Sequence, residues 1–135
     1  MYTVADPSAN TSAIDGLGVV VIGRNEGKRL QRCLESVRAQ ASLAVYVDSG
    51  STDGSVELAR SAGIHVVELD MSTAVTAARA RNAGFAELLR LHPHVSFVQF
   101  LDGDMEVLAD WLDVGVAFMR NRPDVVALSG VRKER

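Results

Sequence analysis

A single cysteine among 135 residues rules out an internal disulfide. Cys33 lies within an amphipathic stretch and reads as a small buried hydrophobe, so the reducing cytosol is the expected compartment. Apolar runs long enough to span a bilayer, which needs ~20 residues, are missing. The longest early run covers only 17–22, and the polar leader before it has no basic segment followed by a long apolar one. A concentrated basic face is missing too: 14 Lys and Arg stand against 17 Asp and Glu, for a net charge of -3. General nucleic-acid binding is therefore not expected, and any anionic ligand must be met locally. His65, His92 and His94 show neither metal-ligand spacing nor an adjacent nucleophile, and read as ordinary surface or partly buried residues. No Gly-x-x-x-x-Gly-Lys or Gly-x-Gly-x-x-Gly pattern occurs, which removes the P-loop and dinucleotide readings.

What is present is a globular composition, 47% hydrophobic and 23% charged, in a chain of single-domain length. Residues 1–16 carry no periodicity and are expected to form a mobile leader. From 17 onward, runs of strand length alternate with helical patterns. Strands are expected at 18–23, 43–47, 64–69, 95–101 and 125–128, and helices at 28–40, 55–62, 73–91 and 108–120. The helix at 28–40 places Leu30, Cys33, Leu34 and Val37 on one face, and that at 73–91 places Ala78, Phe85, Leu88 and Leu89 inward, with a costly Gly84 inside it. The helix at 108–120 is expected to build on Trp111, Leu112, Phe118 and Met119. Such alternation implies an α/β fold: a mostly parallel sheet with flanking helices and right-handed crossovers. Ligands in these sheets bind beyond the carboxyl ends of the strands.

Two of those ends are acidic and glycine-bearing. Asp102-Gly103-Asp104 follows an apolar strand, and in extended backbone alternate residues share a face, so both carboxylates can address one ligand. Oxygen donors of this kind suit a hard divalent cation, Mg2+ or Mn2+, whose natural partner is a diphosphate. The second end is Asp48-Ser49-Gly50-Ser51-Thr52-Asp53-Gly54. Asp48 either accepts from a nucleobase N–H, with Gly50 allowing close backbone approach, or forms an ordinary Asp-Ser-Gly turn. Asp53 reads as a helix cap. After the first strand come Arg24, Asn25 and Glu26. Arg24 is placed for ligand contact or is solvated, and Glu26 contacts ligand or complements a helix dipole.

Four segments in this order resemble family 2 glycosyltransferases of the GT-A fold: Val-Val-Val-Ile-Gly-Arg-Asn-Glu at 19–26, Val-Asp-Ser-Gly-Ser-Thr-Asp-Gly at 47–54, Ala-Arg-Ala-Arg-Asn-Ala-Gly at 78–84 and Phe-Leu-Asp-Gly-Asp at 100–104. The last is similar to the family's Asp-x-Asp metal motif. The resemblance runs from about residue 18 to the end and implies a Rossmann-like nucleotide-sugar-binding region at 17–135. It implies that Asp48 holds the base and that Glu26 approaches the nucleoside. Arg81 would pair with phosphate, Asp104 would bind the metal directly, and Asp102 would contact the ribose or reach the metal through water. A salt bridge from Arg81 to a strand-end Asp is the structural alternative. Arg79, two residues away on a helix, faces elsewhere and reads as solvated. Relatives often carry two successive acids where this chain has Asp48-Ser49, which leaves the base open.

The expected function is metal-dependent transfer of a sugar from a nucleoside diphosphate donor to an acceptor hydroxyl of a saccharide, lipid or small molecule. The catalytic base is unassigned: in the family it lies well downstream of the metal motif, and Glu134 is too near. The fold thus reads as incomplete at its C-terminus, the chain as the donor-binding half, and the unpaired sheet edge as an invitation to self-association. A non-catalytic nucleotide- and metal-binding module is the alternative. A nucleotidyltransferase is less favoured, because Gly23-Arg24-Asn25-Glu26-Gly27 lacks the glycine- and basic-rich loop a triphosphate needs.

Overall fold

The computed structural model describes residues 14–134, so most of the expected leader lies outside the described residues. Residues 14–16 are held to the sheet: the Gly16 carbonyl accepts from Ser96 and Phe97, and the Asp15 carbonyl from the Arg120 guanidinium. Four strands and four helices follow in strict alternation: β1 (Leu17–Gly23), α1 (Lys28–Arg38), β2 (Ala44–Asp48), α2 (Ser55–Ser61), β3 (His65–Glu68), α3 (Ala77–Leu91), β4 (Phe97–Asp102) and α4 (Trp111–Asn121). All the strand pairings are parallel, in the order β3-β2-β1-β4.

The order explains the burial. β1 sits between two strands and between two helical layers, so its uninterrupted apolar run is buried throughout except at Gly23. Val19 and Val21 pack under α1, α2 and α4. Val20 and Ile22 face α3 on the other side. The chain steps outward from β1 to β3 and then returns across the sheet through α3 to β4. That reversal places the switch point between β1 and β4, where open sheets of this kind form a crevice.

α3 begins at Ala77 rather than near 73 because the Thr76 hydroxyl accepts the Arg79 amide and caps the helix there. Its buried stripe is Ala80, Gly84 and Leu88, one residue per turn. Ala78 is exposed, and Phe85 is exposed and leans on Phe100 of β4, their ring centroids 6.5 Å apart, so the expected inner face is corrected at both positions. Gly84 has a packing reason. A methyl group there would stand 2.4 Å from Val20 Cγ1 and 2.8 Å from Val47 Cγ2, so the missing side chain is what lets the helix lie on the sheet. The sequence cue was the small residue one turn after Ala80.

Two further expectations are corrected. Residues 125–128 form no strand; Val126 is almost fully exposed, and without a paired backbone a β-branched run has nothing to hold it extended. Phe118 is not core: α4 buries Leu112 and Val116, while Phe118 lies outward under the Arg122 guanidinium, 6.0 Å from its ring centroid.

Candidate functional site

The carboxyl ends of β1 and β2 are laced together by their own loops. Ser49 donates its amide to the Gly23 carbonyl, the Asn25 amide donates to Ser51 Oγ, and the Thr52 amide donates to Asn25 Oδ1. Asn25 holds a left-handed backbone at φ 52°, which asparagine tolerates better than most residues, and Gly50 sits at φ 82°. Within this frame Asp48 is 2% exposed and its carboxylate accepts three hydrogen bonds: from the Tyr46 hydroxyl at 2.8 Å, the Gly50 amide at 3.1 Å and the Ser51 amide at 2.8 Å. The Asp-Ser-Gly turn left open by the sequence is therefore present. A carboxylate offers about four acceptor positions, so roughly one remains, on Oδ1.

Tyr46 was not anticipated as part of this arrangement. The signal was its spacing: two residues before Asp48 on one strand, it shares that residue's face. Burial, then its bond to Asp48, pushes the Tyr46 hydroxyl above its ordinary range, so it stays a neutral donor. Asp53 acts one position before the helix cap, which is Gly54: its carboxylate takes the amide and hydroxyl of Ser55, and those bonds hold it below the ordinary aspartate value.

The end of β4 is built differently. Gly103 donates its amide to the Ile22 carbonyl at 2.7 Å, and the Met105 amide closes a turn onto the Asp102 carbonyl. A side chain at Gly103 would meet the Ile22 carbonyl at 3.2 Å, so glycine permits this close approach of β4 to β1. Asp102 is the last strand residue and Asp104 lies in the turn. The alternation expected to aim both carboxylates one way therefore stops at Asp102, and the turn sets where Asp104 lies. Both are exposed. Downstream the chain is pinned by Ser36, whose hydroxyl accepts the Val107 amide while donating to the Cys33 carbonyl.

Arg81 reaches across from α3, its Nη2 3.3 Å from Asp102 Oδ1 with both side chains about half exposed. The helix segment at 78–84 and the strand end at 102–104 thus meet in space. Arg79 points away: it donates to the Asp70 carbonyl at 2.8 Å and fastens the loop before α3. Arg24 is exposed in the turn after β1. Glu26 turns inward, its Cγ lying 3.4 Å from where side chains at Gly23 and Gly103 would begin. Its Oε2 is buried, 3.0 Å from Arg29 Nη2 but without a hydrogen bond. Cys33 lies beneath the site with Sγ 3.8 Å from the Asp102 carbonyl; burial and then the nearby carboxylates of Asp104, Glu106 and Asp102 push the thiol up to about 12, leaving it inert.

Among the described residues no group of three or more His, Cys, Asp and Glu side chains forms a metal cage. Mg2+ and Mn2+ need none: one or two carboxylates suffice when substrate phosphates supply the rest, and two exposed hard oxygen donors fit that chemistry. A cleft of about 500 Å³ lies elsewhere, between β4, α4 and the tail at 126–132. Its walls are largely apolar, and it lacks the Arg81, Asp102 and Asp104 cluster. No helix among the described residues is long and apolar enough to cross a membrane.

A four-stranded parallel sheet flanked by helices, with acidic residues at two of its strand ends, is the architecture of a Rossmann-like GT-A domain. The chain belongs to glycosyl transferase family 2, whose family model matches residues 18–135. It is 29% identical over 115 residues to glycosyltransferase AglE of Haloferax volcanii, a match covering 79% of this chain and 36% of that protein. It is also 27% identical over 124 residues to a TPR repeat-containing protein of Synechococcus elongatus, covering 91% of this chain and 28% of that one. The chain thus spans about a third of the length of the curated relatives it matches. Among solved structures, glycinamide ribonucleotide transformylase 1 from Symbiobacterium toebii is similar at 21% identity and a TM-score of 0.43, over 70% of this chain and 46% of that chain.

Proposed function

We propose that this chain binds a nucleoside diphosphate sugar along the carboxyl edge of its sheet and serves glycosyl transfer to an acceptor hydroxyl. The observation that carries the reading is the meeting of Arg81 with Asp102, beside Asp104, at an open strand end in a family 2 chain. Asp104 and Asp102 would hold a Mg2+ or Mn2+ ion, which when bound would offset the charge of the departing diphosphate. The Arg81 guanidinium, a planar fork, pairs with a phosphate in place of Asp102. Asp48 serves the base by fixing the 48–51 turn, Arg24 offers an exposed cation along the crevice, and Glu26 supports both loops from below. In the transfer, the acceptor oxygen bonds to the anomeric carbon, the bond from that carbon to the diphosphate oxygen breaks, and the acceptor proton passes to a base.

The donor-half reading is supported by where the later carboxylates lie. Glu106 lines the apolar cleft, Asp110 and Asp113 line a second one with Ser36 and Gln40, and Asp124 pairs with Arg122. On this reading the acceptor and the base would come from outside the donor-binding region, and the curated relatives, of which the chain covers 36% and 28%, are long enough to hold such a region. The outer edge of β4 has no strand partner among the described residues, which supports pairing with such a part or self-association. A lone buried cysteine is compatible with a cytosolic setting.

The test is titration calorimetry with UDP, GDP and dTDP, with Mn2+ and with EDTA. Binding should require Mn2+ for much of its affinity, and Asp104→Ala should abolish that metal-dependent part while leaving the remainder. Equal binding by the parent and this variant in both conditions would refute the site.

A further inference from the structure

The loop between β3 and α3 was not part of the expected site, yet it ends against it. The Leu69 amide donates to the Asp48 carbonyl, so the chain leaving β3 runs beside the 48–51 turn. Asp70 then fixes the direction of the loop: its carboxylate accepts the Ser72 amide at 2.9 Å, and its carbonyl takes the Arg79 guanidinium at 2.8 Å. Between these anchors Met71 lies on Gly50. A side chain at Gly50 would begin 2.9 Å from Met71 Cε and 3.0 Å from Sδ, so the thioether occupies the space a side chain would fill. It is nonetheless 46% exposed, and so is accessible from solvent beside the 48–51 turn.

We propose that Met71 is the end wall of the nucleobase subsite and sets the size of the base accepted. The inference rests on the donor orientation proposed above, with the diphosphate at β4 and the base at β2. Because the sheet order is β3-β2-β1-β4, a ligand laid along the edge from Asp104 past Arg24 to the Asp48 turn points its outermost ring at β3. Three strand spacings, about 14 Å, separate β4 from β3. Met71 closes that end with an apolar, polarizable side chain suited to a ring edge. A closed end favours the one-ring base over the two-ring base. Arg79 is a positioning residue here, acting through the Asp70 carbonyl.

The experiment measures UDP, GDP and inorganic pyrophosphate affinities in Mn2+ for the parent, Met71→Ala, Met71→Leu and Arg79→Gln. Met71→Ala should shift the UDP-to-GDP preference toward GDP by about 10-fold or more, the scale of apolar pocket contacts. Pyrophosphate should bind Met71→Ala as it binds the parent, Met71→Leu should keep the parent's preference, and Arg79→Gln should shift it the same way by less. If the parent binds UDP or GDP but Met71→Ala leaves their ratio unchanged or moves it toward UDP, the end wall is disproved and the donor site stands. If the parent binds neither in Mn2+, the donor site fails and the end wall with it.

Discussion

The ends of β2 and β4 carry the same residue type in opposite circumstances. Asp48 is 2% exposed and accepts three hydrogen bonds from its own strand and turn. The Asp102 side chain is 51% exposed and faces one arginine at 3.3 Å. A carboxylate with most of its lone pairs taken by amides and a phenol is part of the scaffold; it holds a shape a ligand can meet. One left in solvent beside a guanidinium is inexpensive to rearrange, since an exposed ion pair contributes only about 0–1 kcal/mol. The crevice thus joins a rigid end to an adaptable one, and substitutions should separate them.

The largest effect is expected at the rigid end. Asp48→Ala removes the acceptor of three donors in a buried turn, and hydrogen bonds to charged groups contribute about 1.5–3 kcal/mol each without being additive. Urea unfolding should show a loss of about 3 kcal/mol or more, a large part of a typical domain's stability. A loss below about 1 kcal/mol would mean that the turn holds itself and that Asp48 is free for the base.

Tyr46→Phe sharpens the same side, with an expected loss of about 1–2 kcal/mol at pH 7 because Asp48 Oδ1 keeps no donor. It also carries a pH signature. Since burial and the bond to Asp48 raise the Tyr46 hydroxyl above its ordinary value of 10.0, the folded state favours the neutral phenol. Its contribution is complete below pH 10.0 and declines as pH rises from there through the folded value. Stability of the parent should fall in that alkaline window, and Tyr46→Phe should flatten the fall. Parallel pH curves for the two proteins would assign the decline to other groups.

The same contrast explains what could be read from the chain alone. The alternation of strands and helices and the acidic strand ends were legible because buried parallel strands leave unbroken apolar runs, and because acids and glycines cluster where those runs stop; the order β3-β2-β1-β4 was not. Arg81 beside Asp102 is the salt bridge to a strand-end Asp that the sequence offered as the structural alternative to a phosphate contact. The burial of Asp48 was less visible: it depends on Tyr46 sharing its strand face and on Asn25 bridging a neighbouring loop, contacts separated in sequence. Phe85 and Phe118 were misplaced because hydrophobicity alone does not report which side of a helix approaches a sheet; at α3 the small Gly84 decides it. The expected strand at 125–128 had strand-like composition but no backbone partner, which composition does not reveal.

At the adaptable end, Arg81→Lys tests whether the guanidinium meets phosphate. Lysine keeps the charge and loses the fork, so UDP and GDP should weaken by roughly 10-fold while uridine and guanosine are little changed. Arg79→Lys should have a smaller effect, because a lysine can still offer a donor to the Asp70 carbonyl. Equal losses for the two substitutions, with nucleosides affected alike, would mean that α3 meets the ligand through a different face.

The smallest expected effect is the one that most directly sets the two ends apart. Asp102→Ala removes an exposed carboxylate and its single ion pair, and substitutions of this kind usually stay within about 0.5 kcal/mol. The backbone features that shape this strand end do not involve the side chain: the Gly103 amide bond to Ile22, the turn from Met105 and the Cys33 contact to the Asp102 carbonyl all survive. Urea midpoints for Asp102→Ala should therefore match the parent, while its UDP affinity in Mn2+ drops and its affinity in EDTA changes less. A destabilisation near that of Asp48→Ala would show that the Arg81 pair fastens α3 to β4 as a structural clasp. Unchanged stability with unchanged Mn2+-dependent affinity would remove Asp102 from the site and leave Asp104 to act without it.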